Sequence, residues 1–269
     1  MISYFKILLF TSILTVCFSC ATSPLGRNQL TLMPDSQMNQ MGAQSFEEMK
    51  KATPAETNSK TIAYVRCVAT AITKAAEGQT DNHEWEIVVF KDSQVNAFAL
   101  PGGKIGVYTG ILPVAKTPAQ LAAVLGHEVG HVIAKHGNER VSQGMLAQGG
   151  LVAADLLTGS ADPTKKQLLM AGLGLGAQFG VLLPFSRIQE SEADLIGLKI
   201  ISQAVFDPNE SVQLWKNMQA ASGGKAPSEW MSTHPSDERR ISALEAHLSE
   251  NLPLYESAKA SGLNPQCSR

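Results

Sequence analysis

Charged residues are scarce in this sequence. Only 17% of its 269 residues are Asp, Glu, Lys or Arg, the net charge is −2, and no block of Lys and Arg stands out. Because nucleic-acid-binding proteins present a basic patch to the phosphates, we expect no nucleic-acid partner. Hydrophobic residues make up 44% of the chain, which argues against a largely disordered protein and is typical of a globular domain.

Cysteine is also rare, and two of its four copies lie near the N-terminus. The first 20 residues carry one lysine, an apolar run over residues 7–18 and then small residues, which is the pattern of a secretory signal. The run is too short to span a bilayer comfortably. Ser19 before Cys20 resembles a bacterial lipobox, which implies a lipoprotein signal peptide over 1–19 and lipidation of Cys20. The residue before Cys17 is bulkier, so Cys17 is the weaker candidate. An ordinary cleaved signal or a short anchor is the alternative.

Lipidation would place the protein in the bacterial cell envelope. Residue 21 is Ala and not Asp, and the sorting rule of enteric bacteria then favours the periplasmic face of the outer membrane. Residues 20–50 are expected to form a polar tether followed by a helix within 36–50. Export implies an oxidising compartment, where Cys67 and Cys267 could pair and fasten the C-terminal tail to the first domain helix. Two free thiols are the alternative.

After residue 50 the hydrophobic pattern predicts an α+β fold that is mainly helical. Apolar residues at helical spacing predict a helix over 61–76, and β-branched and aromatic residues predict a strand over 85–90. Residues 96–112 are predicted to form two strands joined at Pro101-Gly102-Gly103. Thr117 and Ser186 are each followed three residues later by Gln, which predicts two capping boxes. The predicted later helices are 118–137, 187–205, one from Asp207-Pro208 onward, and 236–250.

Two apolar, glycine-rich segments, 144–158 and 167–185, interrupt this helical half. The second is nearly long enough to span a membrane, although its glycines and Gln178 weaken that interpretation and Pro184 ends it. A buried or lid-forming helical hairpin is the favoured interpretation. Contact with a membrane surface and a true membrane span remain the alternatives.

The stretch "HEVGH" over 127–131 predicts a metal site. His127 and His131 are four residues apart, so a helix projects both imidazoles from one face, as two ligands of a zinc ion require. Glu128 is one step round the helix and could accept the proton of an attacking water. The alternative is a solvated helix with scattered His and Glu. The surrounding residues are apolar, however, and burying three polar side chains without a partner is costly.

Catalytic zinc takes a third protein ligand. His136 is near, but we expect it to point away from the shared face and to act as a helix-end residue that interacts favourably with the dipole. Glu190 and Asp194 are the better candidates, because they lie four apart on one face of a later helix. Such a pair fits one ligand and one carboxylate that orients a histidine. Taken alone, these carboxylates would more often belong to a solvated helix surface, but their combination with the His127–His131 motif favours the metal site. Glu192 lies on another face.

Taken together, "HEVGH" at 127–131, "ESEAD" at 190–194 and "STHPSDERRI" at 232–241 resemble the M48 family of zinc metallopeptidases, above all its secreted, lipid-anchored bacterial members. Residues 95–112 and 117–142 are also similar to that family, and the resemblance covers about residues 28–250. It implies a gluzincin-like zinc metallopeptidase domain over 51–269, with a small sheet and an active-site helix.

The resemblance also implies residue roles and one Zn²⁺ per chain. The implied metal ligands are His127, His131 and Glu190, with Glu128 as general base and Asp194 behind the ligands. The family's His-Pro-x-x-x-x-Arg motif falls on His234, Pro235 and Arg240. His234 would lie close to the metal, as a removable fourth ligand or as an oxyanion donor. Arg240 would stabilise charge or hold that loop.

The function implied is a zinc endopeptidase of the cell envelope that acts on misfolded or misassembled envelope proteins. The strand around 96–100 could pair with extended substrates, or it could be plain sheet structure. A zinc-containing chaperone or assembly factor for outer-membrane proteins, with a latent protease, is the alternative from another class. A zinc esterase or amidase would share the metal chemistry.

Overall fold

The computed structural model describes residues 20–80, 84–146, 186–222, 229–234 and 238–269. It confirms a mainly helical α+β fold. The strands are β1 (Cys20–Thr22), β2 (Asn28–Leu30), β3 (Glu86–Phe90), β4 (Ala97–Leu100) and β5 (Lys104–Tyr108). The helices are α1 (Asp35–Ala52), α2 (Ser59–Ala75), α3 (Pro118–Ile133), α4 (Arg187–Gln203), α5 (Asn209–Ser222), α6 (Glu229–Thr233) and α7 (Glu238–Ala260).

The three-stranded sheet has the order β3-β5-β4, with β3 parallel and β4 antiparallel to the central strand. The predicted hairpin is confirmed, since β4 and β5 are joined at Pro101-Gly102-Gly103. Gly102 and Gly103 have φ angles of 83° and 71°, a conformation that glycine adopts without steric cost. Within the described sheet β4 lies at the edge and faces α3.

Helix α3 forms the centre of the core. Thr117 is its N-cap, and its hydroxyl accepts a hydrogen bond from the Gln120 backbone at 3.1 Å. The predicted capping box is incomplete, because the Gln120 side chain accepts from the Lys116 backbone instead of that of Thr117. Thirteen of the sixteen residues of α3 are buried, including both of its histidines and Glu128. The helix therefore carries its polar motif inside the protein.

The expectation that this helix ends near Gly137 is wrong. Helix α3 ends at Ile133, and Lys135 adopts a left-handed conformation with φ 53°. Residues 136–146 then form a second helical segment after a turn at residues 134–135. The turn that we expected glycine to provide is made two residues earlier by lysine.

Helices α3 and α4 pack backbone against backbone. A Cβ at Gly126 would lie 3.1 Å from the Gly197 carbonyl oxygen, and one at Gly130 would lie 2.8 Å from the Ala193 carbonyl oxygen. A Cβ at Gly197 would lie 2.8 Å from the His127 backbone nitrogen. These glycines bring the second half of the chain close enough for its carboxylates to reach the histidines of α3.

The ends of the chain also pack against this core. The N-terminal residues that we expected to act as a tether contain the antiparallel hairpin β1–β2, whose Arg27 reaches Glu139 and Glu192. At the other end, a disulfide joins Cys267 to Cys67 of α2. Helix α7 continues to Ala260, beyond the predicted end at residue 250.

Some sequence predictions lie outside the described residues. These are the signal peptide over 1–19, nearly all of the two apolar segments between 144 and 185, and Pro235. Among the described helices, no helix has the length and apolar character needed to cross a membrane.

Candidate metal centre

Four buried side chains from three parts of the fold converge on one point. His127 and His131 come from α3, Glu190 comes from the first turn of α4, and His234 follows α6. One donor atom from each lies within 4.8 Å of all the others. The sequence predictions placed these four residues together, and the structure brings them into one cluster.

The distances within the cluster fit the coordination shell of a zinc ion. The Nε2 atom of His131 is 3.0 Å from Nε2 of His127 and 3.3 Å from Oε1 of Glu190. The Nδ1 atom of His234 is 3.2 Å from His127 Nε2 and 3.0 Å from Glu190 Oε1. Two ligands that each lie about 2.0–2.1 Å from a tetrahedral ion are separated by roughly 3.3 Å. Imidazole and carboxylate are ligands that zinc prefers, so these residues could hold one zinc ion.

Electrostatics at the cluster favour a positive charge. Burial alone would raise the pKa of Glu190, but the charge of His234 and hydrogen bonds with His127, His131 and His234 hold that pKa far below its usual range. Burial alone would lower the pKa of His127, but hydrogen bonds with Asp194 and Glu190 raise it to about 9. Burial holds the pKa of His131 well below its usual value. A bound cation would take the place of the proton that the cluster attracts.

Asp194 orients His127 from behind. Its Oδ1 atom lies 2.9 Å from Nδ1 of His127. Although burial opposes ionisation, Arg240 and His127 lower the pKa of Asp194. The ionised carboxylate can only accept, so His127 donates from Nδ1, and its Nε2 atom faces the cluster, where a metal would bind once it displaces the proton there. This is the arrangement that the spacing of Glu190 and Asp194 predicts.

Arg240 lies on the same outer side. It donates to both oxygens of Asp194, from Nε at 2.7 Å and Nη2 at 2.8 Å, and its Nη1 is 2.6 Å from Oε2 of Glu190. Its guanidinium is 4.1 Å from the ring centroid of Trp215. Arg240 was expected to stabilise charge or to hold its loop, and these contacts place its positive charge against the carboxylates of Asp194 and Glu190.

Glu128 lies beside the cluster and not in it. Its side chain is buried, and its Oε1 atom is 3.4 Å from Nε2 of His234. The one-residue step from His127 turns Glu128 away from the shared face of the two histidines. It is therefore placed to exchange a proton with a molecule next to the metal position.

His136 has surroundings that the sequence prediction missed. It is fully buried, and its Nδ1 atom lies 2.9 Å from Nδ1 of His131, while its Nε2 atom lies 3.1 Å from Oε2 of Glu192. The expectation that His136 is only a helix-end residue is wrong, because the turn at Lys135 redirects the chain and aims the ring back at His131. A continuous helix would not bring residues five apart together, so spacing gave no signal.

Glu192 was assigned to another face, and it does lie away from the four clustered residues. It is nevertheless buried and held by Arg27. Burial alone would raise the pKa of Glu192, but hydrogen bonds from His136, Ser23 and Arg27 lower it to about 2.

The other predicted sites are at cysteines. Cys67 and Cys267 are bonded at 2.00 Å. Cys20 is the first residue of β1.

Comparisons with known proteins give the geometry a family. Residues 59–248 match the family model of peptidase family M48. Mitochondrial metalloendopeptidase OMA1 of Schizosaccharomyces pombe is 44% identical over 181 residues, which are 65% of this chain and 50% of that protein. Metalloprotease LoiP of Escherichia coli is 29% identical over 218 residues, 81% of this chain and 82% of LoiP. The β-barrel assembly-enhancing protease of Yersinia pestis is 27% identical over 217 residues, which are 79% of this chain and 44% of that protein.

The two relatives from yeasts share 50% and 52% of their length with this chain, so it spans about half of each. The family model, by contrast, covers well over half of this chain and includes every residue of the buried cluster. The chain belongs to peptidase family M48.

Proposed function

We propose that this protein is a zinc-dependent endopeptidase of the bacterial cell envelope that hydrolyses misfolded or misassembled envelope proteins. The observation that carries the proposal is the buried cluster of His127, His131, Glu190 and His234, with Glu128 beside it. A structural zinc site needs no adjacent carboxylate, whereas peptide hydrolysis needs a base next to the metal.

In the proposed mechanism, His127, His131 and Glu190 would hold the zinc ion. When bound, zinc polarises a peptide carbonyl and makes water a stronger acid. Glu128 accepts the proton of the attacking water and returns it to the leaving nitrogen. Asp194 and Arg240 keep His127 and Glu190 oriented throughout, which lowers the cost of reorganisation during the reaction.

His234 is proposed to act as a removable fourth ligand. The short distances from its Nδ1 atom to His127 and Glu190 support this over the role of oxyanion donor. His234 bound in this way would keep the enzyme at rest, because catalytic zinc needs an open position for water or substrate. The alternative function is an assembly factor with a latent protease. A fourth ligand at His234 would explain how the protease stays latent.

Substrates are proposed to be extended chains. Strand β4 lies at the edge of the described sheet and packs against α3, so an extended peptide could pair with it and cross the metal site. Only an unfolded or misassembled protein offers such a segment. The name of the Yersinia relative, a β-barrel assembly-enhancing protease, supports envelope proteins as substrates. The mitochondrial relatives support the proposed endopeptidase activity but not the location in the bacterial cell envelope.

We further propose that a lipid on Cys20 anchors the protein at the periplasmic face of the outer membrane. The support is the signal-like sequence over 1–19 with Ser19 before Cys20. Labelling cells with a radioactive or clickable fatty acid would test it, with Cys20→Ser as the variant. Label retained on that variant would exclude this anchor.

The central test compares zinc content and casein cleavage of the purified wild type with those of Glu128→Gln. We expect one zinc per chain in both, and a turnover about 100- to 10,000-fold lower in the variant. Glu250→Gln, on an exposed face of α7, is the matched control and should match the wild type. Equal turnover in Glu128→Gln, or envelope phenotypes that survive it in cells, would show that proteolysis by this site is not the function.

A further inference from the structure

A chain of hydrogen bonds extends from His131 to the N-terminal hairpin. Nδ1 of His131 is 2.9 Å from Nδ1 of His136, and Nε2 of His136 is 3.1 Å from Oε2 of Glu192. The same Glu192 oxygen accepts from Nε of Arg27 at 3.0 Å. Four side chains from three separate stretches of sequence are thus connected in a line that ends at a candidate zinc ligand.

The direction of each hydrogen bond follows from the groups involved. An ionised carboxylate only accepts, so His136 donates from Nε2 to Glu192. Two ring nitrogens 2.9 Å apart can share a single proton. With the His136 proton on Nε2, its Nδ1 accepts, and His131 donates from Nδ1. The Nε2 atom of His131 is left with a lone pair that points at His127 and Glu190, where a zinc ion would bind.

Without the charge on Glu192, the opposite arrangement becomes available. His136 could then carry its proton on Nδ1 and donate it to His131. The proton of His131 would move to Nε2, the atom that must be bare to bind a metal. The carboxylate therefore selects the tautomer of a ring that it does not touch.

Arg27 offsets the cost of burying the charged carboxylate of Glu192. Glu192 and Glu139 are both buried, and Arg27 pairs with both, through Nε to Glu192 and through Nη1 and Nη2 to Glu139 at 2.6 and 2.7 Å. Gln189 donates to Glu139 at 2.8 Å. Two buried carboxylates without this guanidinium would be costly.

The hairpin holds Arg27 in place. Between β1 and β2 the turn is closed by a hydrogen bond from the Ser23 backbone N–H to the Arg27 carbonyl at 2.8 Å. The Ser23 hydroxyl accepts from the Arg27 backbone at 3.1 Å. Gly26, with φ 85°, allows the tight turn. Arg27 lies before residues 59–248, which match the family model. The hairpin that carries Arg27 is therefore outside the matched region.

We propose that Arg27, Glu192 and His136 are positioning residues of the metal centre, which fix the tautomer and orientation of His131, so that the N-terminal hairpin completes the zinc site. The proposal rests on the metal centre of the proposed function. It predicts that metal affinity depends on residues that touch neither the metal nor the substrate.

The first test measures zinc affinity of the full chain by competition with a chromogenic chelator, for wild type, Glu192→Gln and Arg27→Met. Changes to groups that orient metal ligands weaken metal binding about 10- to 100-fold, and we expect this range for Glu192→Gln. Lys50→Met removes another ion pair between elements, that with Glu86, and should leave zinc affinity unchanged. Circular dichroism of the metal-free proteins measures folding separately. A folded Glu192→Gln variant with wild-type zinc affinity would overturn the proposal.

The second test reads the tautomer directly. Long-range ¹H–¹⁵N spectra of the metal-free protein, with histidines assigned by substitution, should put the His131 proton on Nδ1 in the wild type. In Glu192→Gln it should move partly or wholly to Nε2, an effect that a merely structural role would not produce. A wild-type protein that binds no zinc would contradict the proposed function, while these spectra would still decide the present inference. An Nε2 proton on wild-type His131 would overturn it.

Discussion

Gly197 of α4 lies directly against the backbone of His127 on α3, so that a Cβ at position 197 would be 2.8 Å from the His127 nitrogen. This contact sets the separation of the two helices at the metal centre. It decides whether Glu190 and Asp194 can reach the histidines, because a rigid backbone on both sides leaves no flexible side chain to move aside.

We therefore expect Gly197→Ala to push α3 and α4 apart. Inserting a methyl group at such a contact costs about 1–3 kcal/mol of unfolding free energy, and zinc affinity should fall with it, because Glu190 would move away from the imidazoles. Chemical denaturation and chelator competition measure the two effects. In the control Gly144→Ala, the added Cβ has no described atom within 4 Å, and a helical Ala there should be neutral or slightly stabilising. Equal behaviour of the two variants would exclude this role for Gly197.

A second prediction concerns the buried guanidinium of Arg240. Arg240→Met leaves Asp194 and Glu190 facing each other without their cation, and breaking a buried pair in this way costs about 3–5 kcal/mol. Arg239→Met, one residue earlier on an exposed face, is the control and should change stability little. Thermal denaturation of the zinc-free proteins tests this, because added metal would mask the loss by neutralising the carboxylates. Similar melting temperatures for the two variants would contradict the reading of Arg240 as a structural support.

The residues that sequence patterns predicted lie close to their partners in the sequence. His127 and His131 project from one helical face, and so do Glu190 and Asp194. The helical period of 3.6 residues predicts that residues four apart share a face. That the two couples meet was implied by resemblance to the M48 family, since no spacing rule joins residues about 60 positions apart. The hairpin at Gly102-Gly103 was predictable for the same local reason.

The residues that sequence patterns missed depend on long-range contacts or on one unusual backbone angle. His136 reaches His131 because Lys135 takes a positive φ. A lysine in the sequence gives no signal that its backbone adopts this conformation. Arg27 and Glu192 are 165 positions apart, and the polar segment around Arg27 suggested a tether. Gly126, Gly130 and Gly197 occur in helical patterns, where a glycine signals only a weaker helix until its partner helix is known.

A third prediction follows from the lowered pKa of Glu192. Its ordinary value is 4.5 and the folded protein lowers it to about 2, so the ionised form stabilises the fold. This stabilisation is complete above the unfolded pKa and is lost as the pH falls from about 4.5 through about 2. Melting temperatures of the metal-free protein should therefore fall less steeply over this interval in Glu192→Gln than in the wild type. Parallel curves would show that the charge on Glu192 does not stabilise the folded state.

The last prediction separates the two roles of His234. His234→Ala leaves His127, His131 and Glu190, which suffice for a catalytic zinc site, so we expect zinc to be retained. If nine in ten wild-type molecules are closed by His234, its removal raises turnover about tenfold, because the competent fraction rises from a tenth to one. Casein cleavage normalised to bound zinc measures this, and His247→Ala, whose ring bonds to the Ala243 carbonyl of its own helix, is the control. A loss of turnover with full zinc content would instead make His234 a donor to the developing oxyanion, since the metal would be in place and only transition-state stabilisation would be missing.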